Sequence, residues 1–298
     1  MKVKIFLAAA LSAILVALPL VGCGGGGATA PEGTLDKIKR TGEITIGHRE
    51  GSVPFGFYDD AGNWVGFSVD LGELLAKQLE KDLGMAIKNT KKPVNPKTRI
   101  PLVANRTIDI VMGSSTHTIP REDTVDFTIT FFLTGSQLLV AKGSPVKDFE
   151  DLAGKKAGAA TGSTNEKALR DANTAGVINP PCEIVGFEEH PKGFLALQQG
   201  KIDAYCTDGS LLAGMRQAAP TPEDWAVVGR LLTYDPYAYI IPENDSNWRD
   251  YVNTFLIHLI KSGEFYQVYD KWFGPSGKVP LPISDEYRTL LTLQAWPE

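Results

Sequence analysis

Residues 66–84 read GFSVDLGELLAKQLEKDLG. The leucines of this stretch recur at helical spacing, at positions 71, 74, 75 and 79, and predict a helix that ends at Gly84. Glu43–Gly47, before this helix, is predicted to be a buried strand, and so is Ile108–Gly113 after it. Strand and helix therefore alternate in the first part of the chain, which predicts a mostly parallel sheet with helices on its faces.

The same alternation continues through the middle and the end of the chain. The stretch Asn89–Lys97, rich in lysine, proline and asparagine, is predicted to be a loop. Two α/β units in one chain leave a cleft between them, where ligands commonly bind. The further elements are predicted as strands Gln137–Ala141, Lys156–Ala160, Glu183–Phe187, Ile202–Thr207 and Ala238–Ile241, and as helices Arg99–Asn105, Asn165–Asn173, Pro191–Gln199, Gly209–Ala218 and Ser246–Ser262.

The composition is that of a globular protein with a substantial core. The 298 residues are 43% hydrophobic and 22% charged, with a formal net charge of −5. This mild acidic balance provides no basic surface for nucleic acid. The four histidines are scattered at positions 48, 117, 190 and 258, so their spacing predicts no metal site. We expect no cofactor and no catalytic residues.

The N-terminus has the features of an export signal. Lys2 and Lys4 precede an apolar stretch that is too short for a comfortable membrane span. The sequence Leu20-Val21-Gly22-Cys23 that follows resembles the bacterial lipobox. We therefore expect residues 1–22 to be a lipoprotein signal peptide, with Cys23 lipidated and 23–33 a flexible tether. A plain secretory peptide with an incidental cysteine is the alternative.

Two further cysteines remain, Cys182 and Cys206. An oxidising compartment permits a disulfide between them but does not require one. Cys206 is expected in a buried strand, where it would behave as a small hydrophobic residue.

Six short motifs occur in order along the chain: Gly66–Leu71, Ile108–Ile110 with Gly113, Arg121 with Val125–Phe127, Leu152–Lys156, Gly200–Ala204 and Tyr269–Gly274. Together they resemble the polar amino-acid solute-binding proteins of ABC importers (family 3). The resemblance implies an α/β, two-lobed periplasmic-binding-protein fold (type II) with two crossover segments. Lobe 1 would comprise residues 34–134 plus 238–298, and lobe 2 residues 135–237.

Within that family the chain is most similar to the glutamate/aspartate-binding proteins. The resemblance implies that closure of the lobes traps the amino acid, and that an ABC permease is the membrane partner. It also implies a monomeric, periplasmic or cell-surface lipoprotein. The residues that carry this resemblance are Gly47–Glu50, Val53–Phe55, Arg99–Leu102, Gly113–Thr116, His190, and Asp208 with Leu211–Gly214.

An acidic amino acid brings three charged groups, each of which needs a partner when water leaves the cleft. Arg121 occupies the family position that binds the α-carboxylate, and arginine supplies a planar fork of donors. The helix start at Ser163 and Thr164 would contribute backbone N–H groups and a favourable dipole. A surface ion pair of Arg121 with Asp123 or Asp126 is the alternative.

The α-ammonium needs acceptors, and Asp208 follows a strand at the end where open α/β sheets place ligand groups. The Ser114 carbonyl and the Thr116 hydroxyl would complete its shell. Asp208 could also act as the N-cap of the next helix, and the two roles are compatible.

Arg49, Arg99 and His190 are the candidates to bind the side-chain carboxylate. Three potentially cationic groups would repel one another without an anion between them, so a neutral side chain should bind poorly. In the alternatives, Arg49 pairs with Glu50, Arg99 is solvated, and His190 caps a helix. Phe55 and Phe57 are expected to form an apolar wall of the cleft or part of the core.

Two departures from the close relatives bear on specificity. Residues 95–98 read Asn-Pro-Lys-Thr where those relatives carry a serine that helps hold the ligand side chain, and His117 replaces an asparagine. Asparagine, glutamine or another polar ligand is therefore an alternative. A cyclohexadienyl-dehydratase-like enzyme of the same fold is another, although an ammonium site would serve no purpose there.

Overall fold

The computed structural model describes residues 32–297, so the predicted signal peptide and Cys23 lie outside the described residues. No helix in the described part is both long and apolar enough to cross a membrane. The α-helices are α1 (Thr34–Thr41), α2 (Phe67–Leu83), α3 (Arg99–Ala104), α4 (Ile119–Glu122), α5 (Thr164–Thr174), α6 (His190–Gln198), α7 (Gly209–Gln217), α8 (Ser246–Ser262), α9 (Glu264–Phe273) and α10 (Asp285–Gln294).

The strands form two five-stranded sheets and two small antiparallel ones. Short 3-10 helices cover Phe149–Leu152 and Pro222–Asp224. The strands are β1 (Glu43–His48), β2 (Gly51–Ser52), β3 (Gly56–Tyr58), β4 (Trp64–Val65), β5 (Lys88–Pro93), β6 (Ile110–Val111), β7 (Val125–Phe127), β8 (Phe132–Thr134), β9 (Ser136–Ala141), β10 (Lys156–Ala160), β11 (Glu183–Phe187), β12 (Ala204–Asp208), β13 (Trp225–Val228), β14 (Asp235–Tyr237) and β15 (Ile240–Pro242).

Each large sheet belongs to a different part of the chain. The first has the order β5-β1-β6-β15-β7, with strands from residues 43–127 and 240–242, and the second has the order β11-β10-β12-β9-β13, from residues 136–228. In each sheet three neighbouring strands are parallel, and antiparallel strands complete it. The two-lobed α/β fold expected from the sequence is therefore confirmed.

The chain passes between the sheets twice, and the two passing segments pair with each other. β8 and β14 form a two-stranded antiparallel ladder in which Phe132 is opposite Tyr237. Both side chains are buried, and their rings stack with centroids 5.8 Å apart. This ladder links the two sheets at the base of the cleft.

The prediction of a loop over Asn89–Lys97 is wrong in its first half. β5 pairs in parallel with β1 over six residues, from Glu43 opposite Lys88 to His48 opposite Pro93. It is an edge strand whose residues stay half-buried or exposed, so lysines can hydrogen-bond through the backbone while their ammonium groups reach solvent. Pairing with a buried neighbour outweighs the weak strand propensity of this sequence.

The core of the first sheet is aromatic and lies beneath the cleft. Phe55 is fully buried and contacts the rings of Phe67, Phe132, Tyr237 and Phe273 edge-on, with centroid separations between 5.0 and 6.1 Å. Phe55 is therefore a core residue and not a wall of the cleft. Each aromatic pair of this kind adds about 0.5–1.5 kcal/mol of stability beyond the contribution of its buried apolar surface. The aromatic core beneath the cleft is therefore rigid.

Cys182 and Cys206, the two cysteines within residues 32–297, are free and buried. Cys206 lies in the fully buried strand β12, as predicted, and packs in the core of the second sheet together with Cys182. Burial raises the pKa of both thiols, which keeps them protonated.

Candidate functional site

The site lies where the parallel strands of both sheets end. Arg49 follows β1, and Ser114 and Thr116 follow β6. On the other side, Ser163 follows β10 and Asp208 is the last residue of β12. Because the carboxyl ends of parallel strands meet at one edge of each sheet, the fold brings these side chains to a common cleft.

Eight of the nine predicted binding residues line one small cavity. Apart from Pro96 and Leu211 its lining side chains are polar or charged, so it suits a small polar molecule. Arg121 is not among the lining residues. The lining residues are Arg49, Pro96, Arg99, Ser114, Thr116, Ser163, Thr164, Asn165, His190, Thr207, Asp208 and Leu211.

Arg99 is the first residue of α3 and is only 3% exposed. Its Nη1 donates to the Ser114 carbonyl at 2.9 Å and to the Ser115 hydroxyl at 3.0 Å, while its buried Nε has no partner. These acceptors are neutral. Burial, followed by the charges of Arg121 and Arg49, holds the pKa of Arg99 well below its usual value.

Arg49 is 1% exposed and does not pair with Glu50, which instead accepts a hydrogen bond from Tyr58. Its Nη2 lies 2.6 Å from Oε2 of Glu189 in the other lobe. The backbone carbonyl of Arg49 accepts from Trp64 Nε1 at 2.7 Å. The backbone of Arg49 is therefore held within its own lobe, while its guanidinium is held from across the cleft.

His190 begins α6 and is 2% exposed. Its Nδ1 lies 3.0 Å from the Tyr205 hydroxyl. Burial, together with the charges of Arg49 and Arg99, holds the pKa of His190 well below its usual value. The imidazole is therefore neutral and adds no third positive charge to the two arginines.

Asp208 is the N-cap residue of α7, but its side chain makes no capping hydrogen bond. Its carboxylate accepts instead from Asn165 Nδ2 at 2.9 Å and from the Tyr237 hydroxyl. Burial and the nearby carboxylate of Asp235 raise the pKa of Asp208 to about 7. A positively charged ligand group beside this buried carboxyl group would stabilise its ionised form.

The start of α5 supplies the neutral part of the site. The Ser163 hydroxyl accepts from the backbone N–H of Glu166 and so caps the helix. The Thr164 hydroxyl lies 3.2 Å from the hydroxyl of Thr116, which belongs to the opposite lobe. Backbone N–H groups at the start of this 11-residue helix favour an anion.

Arg121 lies beside the cavity and is half-buried. Its Nη1 donates to the Thr116 carbonyl at 2.5 Å, and not to Asp123 or Asp126. Burial lowers the pKa of Arg121, against the opposing influence of Asp208 and Asp235. Arg121 therefore supports the cavity wall at Thr116 and extends the positive charge of that wall.

Sequence reasoning missed several residues that shape the site. Asn165 and Tyr237 hold the Asp208 carboxylate, and Glu189 holds Arg49. Asn165 directly follows the predicted Ser163 and Thr164, so the helix start could have indicated it. Glu189 carried no signal, since acidic residues before a helix are common.

A wider groove lies near the cleft but lacks this convergence of charges. Its lining combines apolar side chains such as Phe57, Phe194 and Trp272 with exposed charged residues. Within residues 32–297 no cluster of three or more metal-ligating side chains is found. The small charged cavity is therefore the candidate site.

Two α/β lobes joined by a paired crossover, with buried charges facing each other across a cleft, define a ligand-binding protein. The chain belongs to the bacterial extracellular solute-binding proteins, family 3, whose model matches residues 44–275. It is thus a solute-binding protein and not an enzyme.

Named relatives and a solved structure are consistent with this assignment. The L-glutamate/L-aspartate-binding protein of Pseudomonas aeruginosa is 34% identical over 96% of this chain and 94% of its own length. The ABC transporter glutamine-binding protein GlnH of Bacillus subtilis is 33% identical, over 90% of this chain and 97% of its own. An ancestral amino acid-binding protein, described as a precursor of cyclohexadienyl dehydratase, has a TM-score of 0.70 and 30% identity over 81% of this chain and 100% of its own.

Proposed function

We propose that this protein binds an acidic amino acid, glutamate or aspartate, and delivers it to an ABC permease. The observation that carries the proposal is Arg99, which lines the cavity, is buried against neutral acceptors and has a buried Nε without a partner. A buried guanidinium with no counter-charge is costly, so a site built in this way favours an anionic ligand group.

The roles of the other groups follow from their charges. Asp208 would receive the α-ammonium, together with the Thr116 hydroxyl. The start of α5 at Ser163 and Thr164, with Arg121 behind the wall, would favour the α-carboxylate. Arg99, Arg49 and neutral His190 would then bind the side-chain carboxylate. In the structure the Ser114 carbonyl already accepts from Arg99, which leaves it one further lone pair for the ammonium.

The named relatives include binding proteins for acidic amino acids and for glutamine, so they support an amino-acid-binding protein of either specificity. The relative named as an L-glutamate/L-aspartate-binding protein supports an acidic ligand, and the glutamine-binding relative supports an amide. One feature favours the amide, because Glu189 already neutralises Arg49. Arg99 has no such acidic partner among the described residues, and we therefore place the acid first.

Isothermal titration tests this proposal. The mature chain without Cys23 is unfolded and refolded to remove carried-over ligand, then titrated with L-glutamate, L-aspartate, L-glutamine and L-asparagine. We expect one-to-one binding of an acid and at least about a hundredfold weaker binding of the amides, since an amide leaves Arg99 without a counter-charge. Preference for an amide would contradict the assignment of Arg99 to a carboxylate.

The position of the protein in the cell is part of the same proposal. We infer that Cys23 carries a lipid, that residues 24–33 tether the lobes to a membrane, and that the protein acts as a monomer. The lobe limits, 34–134 plus 238–298 and 135–237, would let the lobes rotate about the β8–β14 ladder. Mass spectrometry of the membrane fraction, with Cys23→Ala as the control, would detect the diacylglycerol on the N-terminal peptide.

A further inference from the structure

The Arg49–Glu189 ion pair joins the two lobes beside the cavity. Arg49 follows β1 of the first sheet, and Glu189 precedes α6 of the second. The 2.6 Å contact is between Nη2 and Oε2, and the side chains are 2% and 20% exposed. Ion pairs of this kind, shielded from water, are stronger than those on a surface.

Glu189 contacts Arg49 from outside the cavity. Arg49 lines the cavity, whereas Glu189 is not among the lining residues. The ion pair occupies Nη2, and the buried Nε of Arg49 has no partner. The Arg49 stem passes close to Gly113, where an added Cβ would lie 3.2 Å from the Arg49 Cγ. Glu189 therefore fixes which edge of the guanidinium is turned toward a ligand.

The ion pair depends on close approach of the lobes. A Cβ added to Gly51 of β2 would lie 2.7 Å from Pro191 Cδ in α6, and 3.8 Å from Glu189 Oε2. On the same side, a Cβ at Gly214 of α7 would lie 2.0 Å from the Val53 carbonyl oxygen. Glycine at both positions permits this approach, and opening the cleft would separate Arg49 from Glu189.

We propose that Glu189 is a positioning residue, which orients Arg49 toward the ligand when the lobes close and slows ligand release. This role rests on the proposed function, since Arg49 is assigned there to the ligand side chain. Because the ion pair can form only when the lobes are close together, it stabilises the closed form with or without ligand, and its loss affects dissociation more than the first encounter.

Stopped-flow kinetics with L-glutamate tests the role of Glu189. In Glu189→Ala we expect the dissociation rate to rise about tenfold and the association rate to stay within about twofold. Glu189→Gln should be intermediate, because its amide oxygen still accepts from Arg49. This isosteric variant also carries the test if the alanine variant does not fold. A general loss of stability would not explain a dissociation rate that is partly restored in Glu189→Gln. It would also not explain a change in the dissociation rate without a change in the association rate.

Glu188→Ala is the matched control. Glu188 is adjacent and acidic, but it is exposed and pairs with Lys192 of its own lobe at 2.5 Å. Its removal should leave both rates unchanged. Equal dissociation rates in the alanine variants at 188 and 189 would overturn the proposal while leaving the proposed function intact.

Failure of the proposed function gives a different result. If the wild-type protein binds an amide instead, the same rates are measured with that amide. If it binds none of the four amino acids, the ligand-free radius of gyration is compared by small-angle scattering. An increase in Glu189→Ala alone supports the interlobe contact, and equal radii in all variants reject it.

Discussion

The two walls of the cavity differ in charge. The wall from lobe 1 carries the guanidinium groups of Arg49 and Arg99, with Arg121 behind them. The wall from lobe 2 carries the carboxylate of Asp208, with Glu189 at its edge. Each wall carries an excess of one sign of charge, and the Arg49–Glu189 ion pair joins opposite charges across the cleft. A ligand that carries both signs can complete that pairing.

The walls also differ in how their charges are held. The arginines of lobe 1 donate to backbone carbonyls of their own lobe, Arg99 to Ser114 and Arg121 to Thr116. Asp208 of lobe 2 is held by neutral donors and has a raised pKa. The negative wall therefore titrates near neutral pH, while the guanidinium groups of Arg99 and Arg121 are held by carbonyl acceptors of their own lobe.

Removal of the negative wall should have the largest effect. Asp208→Asn leaves the ligand ammonium without its counter-charge in a buried site, and we expect the affinity for L-glutamate at pH 8 to fall at least about a hundredfold. Titration calorimetry measures this change. Asp203→Asn is the control, because Asp203 is exposed and bonds only the backbone of Lys156 in the same lobe. An affinity within about threefold of wild type would place the ammonium elsewhere.

A pH series removes the same charge without a mutation. The pKa of Asp208 is raised to about 7, so its ionised fraction, which is the form that binds an ammonium, falls about tenfold between pH 8 and pH 6. Affinity should fall as pH falls, by about the same factor, with proton release on binding. Tyr237, Arg99 and Arg121 also interact with Asp208, and the Asp208→Asn variant separates their contribution from that of Asp208 itself.

Calorimetry in buffers of different ionisation enthalpy measures the released protons. His190 does not confound the series, because burial keeps it neutral throughout the range. Asp208→Asn should show a flat profile. A wild-type affinity that is constant from pH 8 to pH 6 would mean that Asp208 is already ionised in the free protein.

The sequence predicted the parts of the site that depend on strand and helix order. Periodicity located the strands, and the carboxyl ends of those strands carry Arg49, Ser163 and Asp208. The resemblance then indicated Arg99 and His190, which the structure also places at the cavity. The positions of Arg49, Ser163 and Asp208 could be predicted because they depend on local pattern and chain direction, whereas those of Arg99 and His190 depended on the resemblance.

What the sequence could not supply were contacts between distant segments. The pairing of Arg49 with Glu189 spans 140 positions, and the contact of Tyr237 with Asp208 depends on the second crossover. The strand β5 was missed for a similar reason, since only its pairing with β1 makes it a strand. Such features are set by tertiary packing, which overrides local propensity.

The smallest expected effect concerns the neutral contact between the walls. The hydroxyls of Thr116 and Thr164 lie 3.2 Å apart across the cleft, and neither is charged. Thr116→Val keeps the side-chain shape but removes one hydroxyl, which should weaken L-glutamate binding by about two- to tenfold, or about 0.5–1.5 kcal/mol. Exposed Thr124→Val is the control and should change nothing. A loss as large as that of Asp208→Asn would contradict the ranking, because hydrogen bonding by Thr116 would then contribute as much to ligand binding as charge across the cleft.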